Sequence, residues 1–319
     1  MTRRFATFPT FAGVPEASID SLAEQAPDVV VLGAPIDWGA TYRSGARFGP
    51  KAIREADYLG ADGVRPHLST GIDPLSVLSV VDAGDIAVAP GYLEAGLATL
   101  AETVAAIAAA GAVPIVLGGD HSITYGNGTG LARVHGDGSF GIVHFDAHAD
   151  TGETSMGALH GHGTPMRRLI ESGAVPGHRF VQIGLRGYWP PPNVVTWMAD
   201  QQMRTFLMSE IVERGLRPVV DDAVTAATDP DAIGVFLSID VDVVDPGMAP
   251  GTGTPEPGGL MSRELLDTVR RLARQLPIVG ADIVEVSPPY DGPGQVTAFL
   301  ANRVVLEILN GMAERKVGA

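Results

Sequence analysis

The chain has 319 residues, 45% hydrophobic and 18% charged, the composition of a folded globular protein long enough for one large core. A formal net charge of −15 and a pI near 4.8 argue against nucleic acid or an anionic membrane as partner and are compatible with a cationic substrate. The absence of cysteine excludes disulfides and thiolate metal sites.

The first ten residues carry two arginines but no following apolar stretch, so no signal peptide is expected and the cytoplasm is the expected compartment. Residues 1–26 are expected to form an arm that packs on the domain or on a neighbouring subunit. Short β-branched runs then recur at 28–32, 77–81, 114–117, 140–145, 180–183, 205–208, 234–239 and 278–286, each followed by a glycine-rich or polar turn. Strands this continuously apolar are buried on both faces, which predicts a parallel sheet. Helical patterns lie between several of them, at 91–110, 262–275 and 295–313. The apolar stretch 97–119 is interrupted by Glu102 and punctuated by Gly111 and Pro114, so it reads as a helix followed by a buried strand rather than a membrane span. Alternation of strands and helices predicts an α/β layer structure whose site lies at the carboxyl ends of the strands. Segments 58–76 and 215–233 read as simple connections.

Three strand ends carry metal-binding side chains. In the run Phe145-Asp146-Ala147-His148-Ala149-Asp150, ligand types occupy every second position, and on an extended strand alternate residues share a side. Ser238-Ile239-Asp240-Val241-Asp242 repeats the pattern after a second apolar run. Gly118-Gly119-Asp120-His121-Ser122 closes a third and offers His121. Six ligands, His121, Asp146, His148, Asp150, Asp240 and Asp242, exceed one tetrahedral site and suit two cations bridged by carboxylates. Mixed imidazole and carboxylate donors fit Mn, Fe, Ni, Co or Zn better than Ca or Mg. By strand parity His144 falls on the side of Asp146, and Asp120 is expected to orient His121. His160 and His162, in one glycine-containing loop, are both candidates for a proton carrier near neutral pH. Glu285 is a lone carboxylate near the end of the last strand and needs a cationic partner, either a substrate or an arginine.

GGDHS, DAHAD and SIDVDVVDPGMAPGTGTPEPGG, in that order, resemble the ureohydrolases: arginase, agmatinase and their guanidino-acid relatives. The likeness runs from Gly33-Ala34-Pro35 to Glu285-Val286-Ser287-Pro288. It is closer to agmatinase and guanidinobutyrase than to arginase, through Tyr42 to Pro50 and through His162-Gly163-Thr164-Pro165. The resemblance implies one three-layer domain over 1–319, with a central, mainly parallel, eight-stranded sheet and helices on both faces. It implies two divalent metal ions per chain, Mn foremost and Ni or Co as alternatives. His121, Asp146, Asp150 and Asp240 would hold one, and Asp146, His148, Asp240 and Asp242 the other, with Asp146 and Asp240 bridging.

The implied reaction splits a guanidino compound to urea and an amine. His162 is implied as the general acid, with His160 as the alternative, and Glu285 binds the guanidinium, assisted by Thr254. Agmatine, giving putrescine, is the favoured substrate; 4-guanidinobutyrate, 3-guanidinopropionate, proclavaminate-type amidino compounds and guanidine are the alternatives. A carboxylate tail would require a cation, and Arg186, Arg167 and Arg168 are the candidates. A homo-oligomer, hexamer or trimer, is implied as well. Two readings from other classes are a metal-dependent deacetylase, which would normally use one zinc, and a non-catalytic partner subunit, which would need a damaged ligand set.

Overall fold

The computed structural model describes residues 10–58, 64–228 and 231–318. The β-branched runs become eight strands: β1 Val29–Ala34, β2 Val80–Asp85, β3 Val113–Gly118, β4 Gly141–Phe145, β5 Phe180–Leu185, β6 Arg204–Leu207, β7 Val235–Asp240 and β8 Ile278–Val284. They form one sheet in the order β2-β1-β3-β8-β7-β4-β5-β6, and every described pairing is parallel, so the expected "mainly parallel" sheet is wholly so.

The strands other than the edge strand β6 send alternate residues into two different cores, as the pleat requires. Val29, Val31, Ile115, Val143, Leu237 and Ile283 pack with the helices Leu216–Ala227, Ser262–Gln275 and Val296–Val317. Val30, Leu32, Val116, Ile142, Phe236 and Val284 pack with Leu93–Ala109, Ile123–His135 and Pro165–Glu171. The result is helix, sheet, helix. Val296–Val317 is the one helix among the described residues long and apolar enough to cross a membrane, yet 67% of that window is buried against the rest of the chain.

Two expectations need correction. The strand expected from residue 77 starts at Val80, because Pro74–Val77 is a short helix whose cap, Asp73, accepts from Leu75 N–H. Segment 215–233, read as a connection, contains the helix Leu216–Ala227, which buries Val219, Val220, Ala223 and Ala227 on the sheet. Residues 59–63 of the other connection and 1–9 of the expected arm lie outside the described residues. The rest of the arm packs on its own chain: Phe11 is fully buried, and its N–H donates to Asp82 Oδ2 at 2.6 Å.

β3 and β4 follow each other in sequence but are separated in the sheet by β8 and β7. Chain direction across the sheet reverses there, which opens a crevice beyond the carboxyl ends of these four strands.

Candidate metal centre and active site

The four neighbouring strands β3, β8, β7 and β4 deliver His121, Glu285, the pair Asp240 and Asp242, and the trio Asp146, His148 and Asp150 to that crevice. The trio does not lie along a strand as expected. β4 ends at Phe145, and Asp146 Oδ1 accepts from His148 N–H at 2.6 Å, turning the chain. Asp240 Oδ1 accepts from Asp242 N–H at 2.8 Å, and Asp120 Oδ1 from Ser122 N–H at 3.0 Å. The same aspartate turn thus ends three strands and brings the residue two positions on back toward the first. Asp150 and Glu285 have φ of 51° and 63°, a left-handed backbone that non-glycine residues seldom adopt and that recurs at functional sites.

All six expected ligands come together. His121 Nδ1 lies 3.0 Å from Asp146 Oδ2, 3.0 Å from Asp150 Oδ2 and 3.2 Å from Asp240 Oδ2. His148 Nδ1 lies 3.0 Å from Asp242 Oδ2 and 3.5 Å from Asp146 Oδ1. Yet His121 Nδ1 and Asp242 Oδ2 are buried without a properly aligned hydrogen-bond partner. In both halves of the cluster carboxylate oxygens crowd one imidazole nitrogen, and four carboxylates face two imidazoles. This donor set fits two divalent cations, with Asp146 offering one oxygen to each half. The protonation equilibria agree. Burial opposes charge on His148, but Asp242 and Asp146 outweigh it and raise its pKa to about 12. Burial, then the charge of Asp146, pushes Asp242 up to about 6. Both shifts arise from crowded, buried carboxylates, the charge that two cations would neutralise.

Beneath the ligands a row of polar residues crosses the sheet in register: Gln182 on β5, His144 on β4, Ser238 on β7 and Asp282 on β8, all fully buried. Gln182 Nε2 donates to Ala149 O at 2.7 Å and to His144 Nδ1 at 3.1 Å. That amide contact leaves His144 Nε2 to donate to Asp146 Oδ2, 2.8 Å away, as strand parity predicted. His121 Nε2 meets Ser238 Oγ at 2.9 Å, so Nδ1 is the nitrogen turned to the cluster. Asp282 accepts from Thr124 Oγ1 and Asn127 Nδ2, each at 2.8 Å. The expectation that Asp120 orients the His121 ring is corrected. Its oxygens serve Ser122 and, at 2.7 Å, Gly39 N–H, fixing the 37–41 loop, while Ser238 orients the ring. Sequence reading passed over Gln182, Ser238 and Asp282, although a polar side chain inside an apolar strand was the available signal.

A cavity of 260 Å³ opens onto the cluster, lined by Thr41, His148, Asp150, Thr154, Ser155, His162, Gly163, Trp189, Asp240 and Thr254. His162 is on its wall, whereas His160 is not in the lining and packs on the Tyr125 ring, 4.9 Å away. Glu285 stands behind His162: its Oε1 is 3.0 Å from His162 Nδ1 and accepts from His121 N–H at 3.0 Å, and its Oε2 is buried without a partner. Burial disfavours a charged His162, but the hydrogen bond and charge of Glu285, with Asp150 and Asp120 beyond, raise its pKa to about 9.

The candidate arginines are engaged elsewhere. Arg186 donates to the backbone oxygens of Gly184, Asp242, Val243, Glu256 and Pro257. Arg167 and Arg168 pair with Glu171 at 2.8 and 2.6 Å.

Against known proteins, the Arginase family matches residues 27–310. The mitochondrial agmatinase of Gallus gallus is 39% identical over 282 residues, 88% of this chain and 80% of that protein. The solved proclavaminate amidino hydrolase from Streptomyces clavuligerus superposes with a TM-score of 0.87 at 36% identity, covering 98% of this chain and 99% of that one. The Trypanosoma cruzi formiminoglutamase, solved with Mn²⁺, gives a TM-score of 0.82 at 28% identity over 94% and 99% of the two chains.

Proposed function

This chain belongs to the arginase family, and on that premise we propose that it hydrolyses agmatine to urea and putrescine. It is a hydrolase of C–N bonds in guanidino compounds, and the choice among them turns on the substrate's tail. The observation that carries agmatine is the cavity wall. It offers hydroxyls, an indole, imidazoles and carboxylates, with no Lys or Arg among its lining residues. An ammonium tail is favoured there. The carboxylate of a guanidino acid would meet no lysine or arginine on that wall. Membership of this family leaves the deacetylase reading without support, and the undamaged set of six candidate ligands speaks against the partner-subunit reading.

His121, Asp146, Asp150 and Asp240 suit one cation, and Asp146, His148, Asp240 and Asp242 the other. Manganese is the proposed metal, supported by the Mn²⁺-bound neighbour, and the same donors accept nickel or cobalt. Bound there, the pair supplies Lewis acidity that lowers the pKa of water toward neutrality. The protein's own groups do the rest. Glu285 Oε2, the unpartnered oxygen, accepts a guanidinium N–H and orients the planar group, while Oε1 stays with His121 N–H and His162 Nδ1. Thr254, on the wall, hydrogen-bonds the same end of the substrate. His162 holds the proton that the departing amine requires. Assembly as a homotrimer or homohexamer belongs to the same proposal.

The test is urea release by Mn- and Ni-reconstituted protein from agmatine, 4-guanidinobutyrate, 3-guanidinopropionate, arginine and guanidine. Agmatine is expected to lead the guanidino acids in kcat/KM by on the order of tenfold or more, the cost of one unmet charge. A guanidino acid hydrolysed faster than agmatine overturns the choice of tail, and urea from none overturns the reading.

A further inference from the structure

Both ring nitrogens of His162 are occupied. Nδ1 faces Glu285 Oε1 at 3.0 Å. Nε2 faces Thr41 twice, the backbone N–H at 3.2 Å and Oγ1 at 2.7 Å. The ring is nearly buried, 9% exposed, whereas Thr41 is exposed and borders the cavity. Neither nitrogen has a free edge toward a substrate. The arrangement is stitched in place: His162 N–H donates to Gly39 O at 3.1 Å, and a side chain on Gly39 would meet His162 N at 2.9 Å, so the 37–41 loop and the 159–164 loop are held in close contact.

We propose that Thr41 is the last carrier of the proton, its hydroxyl passing a proton from His162 Nε2 to the departing amine. The chemistry of the two contacts supports this. A backbone N–H can only donate, so with Thr41 N–H on it Nε2 is an acceptor and the neutral ring keeps its proton on Nδ1, against Glu285. A hydroxyl donates or accepts by rotating its hydrogen. When the ring carries a second proton, on Nε2, Thr41 Oγ1 at 2.7 Å is its acceptor, and the hydrogen bond from Thr41 N–H is given up. In the step itself, the C–N bond to the leaving amine breaks and its electron pair stays on that nitrogen. The nitrogen takes the Thr41 hydroxyl proton, Thr41 Oγ1 takes the proton from His162 Nε2, and the ring returns to the neutral form with Nδ1–H on Glu285. Nothing is oxidised or reduced.

This role rests on the amidinohydrolase reading, and the test separates the two. Thr41→Val keeps the side chain's shape and removes its hydroxyl, and Thr41→Ser keeps the hydroxyl. In the metal-loaded enzyme Thr41→Val is expected to lower kcat by on the order of tenfold to a hundredfold with KM nearly unchanged, and Thr41→Ser to recover most of it. Metal content is expected to stay that of the unaltered protein. In ¹⁵N-histidine NMR spectra of the metal-free protein, Nε2 of His162 is expected to shift in Thr41→Val while Nδ1 stays in place. Thr41→Val with unreduced kcat, equal losses in both variants, or an unshifted Nε2 resonance overturns the relay. Absence of urea from the unaltered enzyme overturns the amidinohydrolase reading instead, and the NMR comparison still decides the His162–Thr41 contact.

Discussion

Asp146 divides its carboxylate. One oxygen is 3.0 Å from His121 Nδ1 and the other 3.5 Å from His148 Nδ1, so the residue belongs to both halves of the cluster, whereas His121 belongs to one. His121→Ala is therefore expected to leave one metal ion per chain and Asp146→Ala fewer than one, read by elemental analysis after dialysis. Loss of one ion from each variant alike would sink the bridging arrangement. His162 allows a second prediction at this scale. Its pKa in the folded protein, about 9, lies above its ordinary 6.5 because Glu285 outweighs burial. The stabilisation from this pair is fully present below pH 6.5 and is lost as pH rises toward and through 9. In Glu285→Gln the charge that outweighs burial is gone, and His162 is expected to titrate well below 9 in an NMR titration of metal-free protein. A midpoint still near 9 would mean that another group holds the proton.

At the scale of elements, the strand-end turns do the positioning, and they tolerate little. A Cβ on Gly119 would sit 2.2 Å from Ile36 O and 2.6 Å from Ala34 O, both backbone atoms that cannot yield without displacing β1. Gly119→Ala is expected to cost about 1–3 kcal/mol and to lower Tm by several degrees, whereas at Gly163, where a Cβ meets nothing within 4 Å, the same change is expected to cost about 0.5 kcal/mol or less. Equal melting temperatures for the two variants would contradict the close approach. Elements also set what was legible in advance. The apolar runs and the ligand types at their carboxyl ends are local features, and they located all eight strands and the six side chains that converge beyond them. Strand order is not local, so nothing in the sequence set β8 and β7 between β3 and β4. The alternation read into 146–150 came from the right residues by the wrong geometry, because an aspartate turn produces the same convergence as a pleat. Thr41 carried no local signal at all: it meets His162 across 121 residues of chain, and loop threonines are common.

At the scale of the whole molecule, the net charge of −15 surrounds a cavity whose own charged groups are carboxylates and imidazoles. A field of that sign concentrates cations near the mouth and leaves a net-neutral solute unaffected. Agmatine carries a guanidinium and an ammonium; 4-guanidinobutyrate carries a guanidinium and a carboxylate and has no net charge at neutral pH. Salt shortens the reach of the field from about 30 Å at 0.01 M to about 8 Å at 0.15 M. KM for agmatine is therefore expected to rise severalfold over that range with kcat unchanged, while KM for any guanidino acid that turns over stays nearly flat. The comparison is internal, since both substrates present the same guanidinium to the same donors and differ only at the tail. Equal responses to salt would mean that the acidity of the chain serves solubility alone, and any preference for a cationic tail would then have to reside entirely in the contacts of the cavity wall.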